Sequence, residues 1–184
     1  MFQFQKYVDH FKEKITDSWL TPRGVFFSEG FAISSAMNEC GVQLIIESGT
    51  AYGGSTEMLA LLCNNTPIVS IDFCKLYTDS GKYSAKRLEK YKNVKLVIGN
   101  SFNVIPDILS NVKLNNIGLF IDGPKGYQAL NLVSQIVQKY NDKISVVAVH
   151  DVKSHTPIAD EYRKQYSNVL FTKKQIRQLF KASW

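Results

Sequence analysis

Val42-Gln43-Leu44-Ile45-Ile46-Glu47-Ser48-Gly49-Thr50-Ala51-Tyr52-Gly53-Gly54-Ser55-Thr56 holds the pattern that decides the fold. It opens at Val42 to Ile46 as a short apolar run rich in β-branched residues, the composition of a strand buried on both faces. The run closes on an acid, Glu47, and passes through Gly49 and the Gly53-Gly54 turn before a helical stretch from Thr56 to Cys63. Glycines here let a ligand approach the backbone with no Cβ in the way. The helix N-terminus that follows directs unpaired N–H groups toward a carboxylate or phosphate. Strand, glycine-bearing turn and helix in that order open an α/β unit that either approaches a ligand or makes only a tight turn.

Outward from this unit the pattern repeats. Apolar runs at Ile68 to Ile71, Val94 to Ile98, Ile117 to Ile121 and Ile144 to Val149 have strand length. Helical stretches at Ser80 to Tyr91, Phe102 to Leu109 and Tyr127 to Tyr140 separate them, the last with Leu130, Val133, Val137 and Tyr140 on one stripe. Strands alternating with helices through right-handed crossovers predict a Rossmann-like, doubly wound, mostly parallel sheet in a three-layer α/β/α sandwich. Ahead of it, Phe4, Tyr7, Val8, Phe11 and Ile15 recur at helical spacing, so an amphipathic helix presents an aromatic stripe to the domain or to a partner subunit. A second helix is expected from near Ser28, with Glu29 in its first turn, to Cys40-Gly41. After Asp151 come a helix near Pro157 to Tyr166 and two runs, Val169 to Thr172 and Ile176 to Phe180, suited to an antiparallel edge. All 184 residues read as one domain: N-terminal helices over 1–41, the cofactor-binding core over 42–151, and a C-terminal helix with edge strands over 152–184.

In such a sheet, ligands bind beyond the carboxyl ends of the strands. The first strand delivers Glu47, Gly49, Thr50, Gly53 and Ser55 to that edge, and the second delivers Asp72, placed to accept both hydrogen bonds of a ribose diol. Asn100 and Ser101 after the third strand have side chains that hydrogen-bond an adenine edge, and Tyr52, Phe73, Tyr77 and Phe102 are aromatics that either sandwich the ring or pack in the core. The fourth strand ends in Asp122-Gly123-Pro124-Lys125-Gly126-Tyr127, and the fifth in His150-Asp151. Lys125 serves as a general base if a metal or a low-dielectric pocket lowers its pKa. His150, with an ordinary pKa near 6.5, suits proton removal or metal binding.

Glu47-x-Gly49 with the Gly53-Gly54-Ser55 turn resembles the first motif of class I S-adenosylmethionine-dependent methyltransferases, over a match running from about Val42 to Asp151. Within that resemblance Asp72 is similar to the ribose-binding acid and Gly99-Asn100-Ser101 to the adenine-side motif. The spacing is nearest to the small-molecule O-methyltransferases and the cephalosporin-hydroxylase-like branch. The resemblance implies S-adenosylmethionine, with S-adenosylhomocysteine as product, held by Glu47, Gly49, Thr50, Gly53, Ser55, Asp72, Phe73, Asn100, Ser101 and Asp122. Asp122-x-x-Lys125 further resembles the Asp-x-x-Lys motif of catechol-type O-methyltransferases, in which the acid holds Mg²⁺ and the lysine takes the proton. Those enzymes carry Asp-Asn after the next strand, where this chain has His150-Asp151. A divalent cation would then rest on Asp122 and Asp151, since hard cations take carboxylate oxygens, with one amide ligand missing. Lys125, His150 and Asp122 form the implied catalytic set.

The 45% apolar and 21% charged composition is that of a soluble protein, and the absence of any apolar run of about 18 residues argues against a membrane span. A cytoplasmic location is expected. Cys40, Cys63 and Cys74 are too few and too irregular for a disulfide framework or a Cys-x-x-Cys metal site. The net charge of +6 is scattered over helix faces and carries no nucleic-acid motif, so a small-molecule acceptor is favoured over nucleic acid. Rival functions on the same frame are a nicotinamide-dependent oxidoreductase, which would normally show Gly-x-Gly-x-x-Gly, and a binding module without turnover.

Overall fold

The structure, a computed structural model, describes residues 4–15, 25–63, 65–73 and 78–166. Strands β1 (Leu44–Ser48), β2 (Ile68–Asp72), β3 (Val94–Ile98), β4 (Ile117–Ile121) and β5 (Ile144–Val149) alternate with helices α3 (Gly54–Leu62), α4 (Asp79–Leu88), α5 (Ser101–Asn111) and α6 (Tyr127–Tyr140). All pairings are parallel, in the order β3-β2-β1-β4-β5. From β1 the chain winds outward to β3, then returns to place β4 on the other side of β1. The loops after β1 and β4 therefore leave the sheet side by side at its switch point, where this architecture opens a crevice.

Strands β1 and β4 are buried at every position, whereas no position of the edge strands β3 and β5 is fully buried. Successive strand side chains point to opposite faces, so Ile45 and Phe120 enter one core and Ile46, Leu119 and Ile121 the other. The first core lies under the N-terminal helices and α3. The second lies under α5, α6 and α7 (Pro157–Gln165), the last helix among the described residues.

A 3₁₀ turn over Phe4–Tyr7 leads into α1 (Val8–Lys14), followed by α2 (Phe27–Glu39). The rings of Phe4 and Phe11 meet Phe31 of α2 edge-on, with centroids 6.2 and 5.2 Å apart. Phe4, Val8 and Phe11 are thus buried within their own domain, and this stripe offers no basis for the homo-oligomer contemplated from sequence. Gly30 of α2 leaves a notch filled by the Met58 thioether, since a Cβ there would collide with its sulfur. Gly118 of β4 leaves a second notch for Met37. Both methionines are 1% exposed, and their unbranched side chains fill gaps a branched residue would not.

Boundaries differ from expectation where local hydrogen bonds intervene. Strand β1 begins at Leu44 because the Val42 N–H closes the end of α2 on the Met37 carbonyl at 3.1 Å. Helix α2 begins a residue before Ser28, and the Glu29 carboxylate accepts the Phe26 N–H at 2.8 Å. The runs Val169 to Thr172 and Ile176 to Phe180, with Cys74 and Tyr77, lie outside the described residues. Among the described residues no helix is long and apolar enough to cross a membrane.

Candidate active site at the carboxyl edge of the sheet

The loops after β1 and β4 touch backbone to backbone. Gly49 has φ +101, and a Cβ placed on it would lie 2.8 Å from the Gly123 nitrogen and 3.0 Å from the Asp122 carbonyl carbon. The N–H groups of Asp122 and Gly123 both donate to the Ser48 carbonyl, at 2.8 and 2.9 Å. The Ser48 hydroxyl donates to the Gly123 carbonyl and shares a 2.5 Å hydrogen bond with Ser101. Glycine at 49 is accordingly required by the neighbouring loop, a different reason from ligand clearance. Gly53, at φ +76, starts α3 in a left-handed turn packed against Leu88.

Glu47 is fully buried, and its carboxylate accepts hydrogen bonds from Ser55 and Ser70, each at 2.5 Å, and from Thr56. Thr50 joins the same group through Ser70 at 2.6 Å. Burial pushes the Glu47 carboxyl up to about 7 against the pull of the three hydroxyls. Glu47, Thr50, Ser55 and Ser101 therefore spend their polar atoms on holding the strand ends and the start of α3 together.

Asp72, Phe73 and Asn100 face outward. An Asp72 oxygen accepts the Ala51 N–H at 2.5 Å, which folds the glycine-bearing loop onto the ribose-type acid. Between Thr50, Ala51, Asp72, Ser84 and Ile98 the cavity is about 10 Å³, the room of a single water. Phe73 is 77% exposed beside this acid. Asn100 caps α5 by accepting the Phe102 N–H at 3.0 Å, a structural duty that the sequence assigned to adenine.

Asp122, Lys125, His150 and Asp151 converge beyond β4 and β5. The Lys125 ammonium lies 2.5 Å from Asp122 Oδ1, 2.8 Å from Asp151 Oδ2 and 3.4 Å from His150 Nδ1. His150 Nδ1 is 2.5 Å from Asp122 Oδ1, and its Nε2 is 3.0 Å from Glu29 Oε2. Asp122 first, then Glu29, raise the imidazole to about 10 against the effect of burial. Burial alone would lower the Lys125 ammonium, but the flanking Asp122 and Asp151 outweigh it and raise its pKa. Both candidate bases are thus held protonated at neutral pH. One donor atom each from Asp122, His150 and Asp151 lies within 4.8 Å of the others, the spacing of a cation site.

Glu29 is the member that sequence pattern did not place here. It stood out only as a first-turn acid, and its meeting with His150 across 121 residues has no local signal. Ser70 and Thr56 were likewise hidden, because a single hydroxyl in an apolar run reads as a strand or helix residue.

No family model matches the chain, and no curated protein sequence matches it. Solved structures do. The O-methyltransferase TomG of Streptomyces achromogenes, involved in tomaymycin synthesis and seen with S-adenosylmethionine, is 15% identical with a TM-score of 0.59, over 98% of this chain and 77% of that one. A Staphylococcus aureus protein provisionally designated a caffeoyl-CoA O-methyltransferase is 16% identical with a TM-score of 0.57, over 96% and 84% of the two chains. An rRNA methylase of Streptococcus thermophilus is 13% identical with a TM-score of 0.51, over 80% and 83%. The fold is that of the class I S-adenosylmethionine-dependent methyltransferases. O-methyltransferases recur among the similar structures, but identities this low establish the fold alone, and the acceptor has to be argued from the site.

Proposed function

We propose that this chain binds S-adenosylmethionine at the carboxyl ends of β1, β2 and β3 and transfers its methyl group to a hydroxyl of a small-molecule acceptor held over β4 and β5. One observation carries this reading: the loop that bears the Asp122 and Lys125 cluster is packed directly on Gly49 of the nucleotide-type turn. A donor over one loop and an acceptor over the other would be neighbours.

The reaction is an in-line displacement in which the acceptor oxygen bonds to the methyl carbon and the sulfonium carbon–sulfur bond breaks, its electron pair passing to sulfur. Positioning supplies most of the acceleration. The acceptor proton must also leave. Lys125, held protonated, stabilises the acceptor oxygen as an anion through a charge-assisted hydrogen bond, while His150, whose two N–H groups are taken by Asp122 and Glu29, adds only its charge, and Asp122 positions both cations. The proton departs to water beside Asp151, whose side chain is 60% exposed.

The surroundings favour a small acceptor. Phe26, whose N–H shares Glu29 Oε2 with His150, and Tyr127, two residues beyond Lys125, are 75% and 61% exposed at the rim of the cluster.

Calorimetric titration with S-adenosylhomocysteine tests the donor half. Asp72→Ala is expected to weaken binding by about 1.5 to 3 kcal/mol, roughly 10- to 150-fold. A wild-type protein with neither heat of binding nor thermal shift would refute the proposal. Transfer of label from methyl-labelled donor to a panel of hydroxylated aromatics then tests the acceptor half, and separates turnover from binding alone.

A further inference from the structure

The resemblance to catechol-type enzymes raises a divalent cation on Asp122 and Asp151, and the donor set can be judged against that role. A hard divalent ion takes six or more oxygen donors and tolerates neither an ammonium nor an imidazolium among them. Here the Lys125 ammonium lies between the two carboxylates, 2.5 Å from one and 2.8 Å from the other, in the space the ion would need. His150 has a carboxylate at each end of its ring, Asp122 at Nδ1 and Glu29 at Nε2, so both nitrogens carry protons and neither offers a lone pair. The charges already come close to balance: Asp122, Asp151 and Glu29 face Lys125 and His150, one carboxylate in excess. Adding a divalent ion would crowd three cations together. The amide that would have completed the ligand set is replaced by Asp151, and Asp151 is engaged by Lys125. The residues present do not fit a divalent metal.

We infer that the Lys125 ammonium is the resident cation of this site, bridging Asp122 and Asp151 where a divalent ion would otherwise sit, and that it meets the acceptor oxygen in place of a metal. The second half rests on the methyl-transfer reading; the first does not. An ammonium is a point charge with three donor hydrogens. With two hydrogens on Asp122 and Asp151, the third remains for an acceptor oxygen, toward which the 50% exposure of the side chain leaves access. Bringing one positive charge to that oxygen favours its deprotonated form, as a metal would, without a coordination shell to fill.

The cation claim is tested by Mn²⁺ binding, followed through the electron paramagnetic resonance of free Mn²⁺ at pH 7.5 with no cofactor or acceptor. Wild type is expected to leave Mn²⁺ free. Lys125→Ala exposes Asp122 and Asp151 and is expected to bind Mn²⁺ at least about tenfold more tightly. Adding Asp122→Asn should abolish the gain. Lys125→Arg, which keeps the charge, should behave as wild type, and a normal thermal transition for each variant establishes that it is folded. Wild type binding Mn²⁺ as tightly as Lys125→Ala, through Asp122, would overturn the inference. So would a folded Lys125→Ala that still leaves Mn²⁺ free, since Lys125 would then not be what excludes the ion. S-adenosylhomocysteine affinity, measured separately, decides the methyltransferase reading whatever Mn²⁺ does.

Discussion

Gly49→Ala adds one carbon where two loops meet, and its cost follows from two separate effects. The new Cβ would lie 2.8 Å from the Gly123 nitrogen and 3.0 Å from the Asp122 carbonyl carbon, both backbone atoms that no rotamer change can move aside. Overpacking of that kind costs about 1 to 3 kcal/mol. The residue must also hold φ +101, a region closed to L side chains, for about another 1 to 3 kcal/mol. The sum, about 2 to 6 kcal/mol, is a large share of the roughly 5 to 15 kcal/mol that keeps a domain folded. Gly41→Ala supplies the control, because Gly41 has φ +60 but its nearest added contact is an ordinary 3.7 Å to Asn116. It should lose only the backbone part, about 1 to 2 kcal/mol. Urea unfolding followed by circular dichroism measures both. If the two variants lose equal stability, or Gly49→Ala loses less than about 1 kcal/mol, the loops do not pack as described. A Gly49 variant that binds S-adenosylhomocysteine poorly would then need its binding defect separated from partial unfolding.

Two pH dependences should follow from the buried charges. Because Glu47 titrates at about 7 in the fold against 4.5 when unfolded, the native state binds the extra proton, so stability should fall by roughly 3 kcal/mol as pH rises from 4.5 to 7. Glu47→Gln should remove that slope, and a difference curve between the two proteins that stays flat across this window would refute the buried carboxyl. His150 is raised, so its contribution to stability is complete below pH 6.5 and is lost as pH climbs through about 10. Its ring resonances should show no titration near 6.5 in wild type and should move down toward that value in Asp122→Asn; a wild-type midpoint near 6.5 would contradict the double carboxylate pairing.

Much of the sheet was legible because buried parallel strands are short apolar runs with polar ends. The expected Val94 to Ile98, Ile117 to Ile121 and Ile144 to Val149 coincide with β3, β4 and β5, and Tyr127 to Tyr140 with α6. The first strand was misjudged by two residues because Val42, apolar and β-branched, is used to close a helix. At the site, the sequence grouped Asp122, Lys125, His150 and Asp151 by their positions after strands, and they do meet. Their protonation could not be read there, because pKa depends on side-chain partners, and one decisive partner, Glu29, arrives from the N-terminal helices. Thr50, Ser55, Ser101 and Asn100 also belong to hydroxyl networks and a helix cap, contacts between distant residues that their positions after the strands did not reveal.

The two glycine notches that seat α2 tie the interior to the chemistry through a single peptide bond. Gly30, whose missing side chain admits Met58, adjoins Glu29, whose carboxylate reaches His150. The thioether sulfurs of Met58 and Met37 lie where a Cβ on Gly30 or Gly118 would stand, so an oxygen added to either sulfur would press toward the backbone of α2 or β4. An oxidant that reached Met58 would act one residue from the carboxylate that pairs the His150 imidazolium.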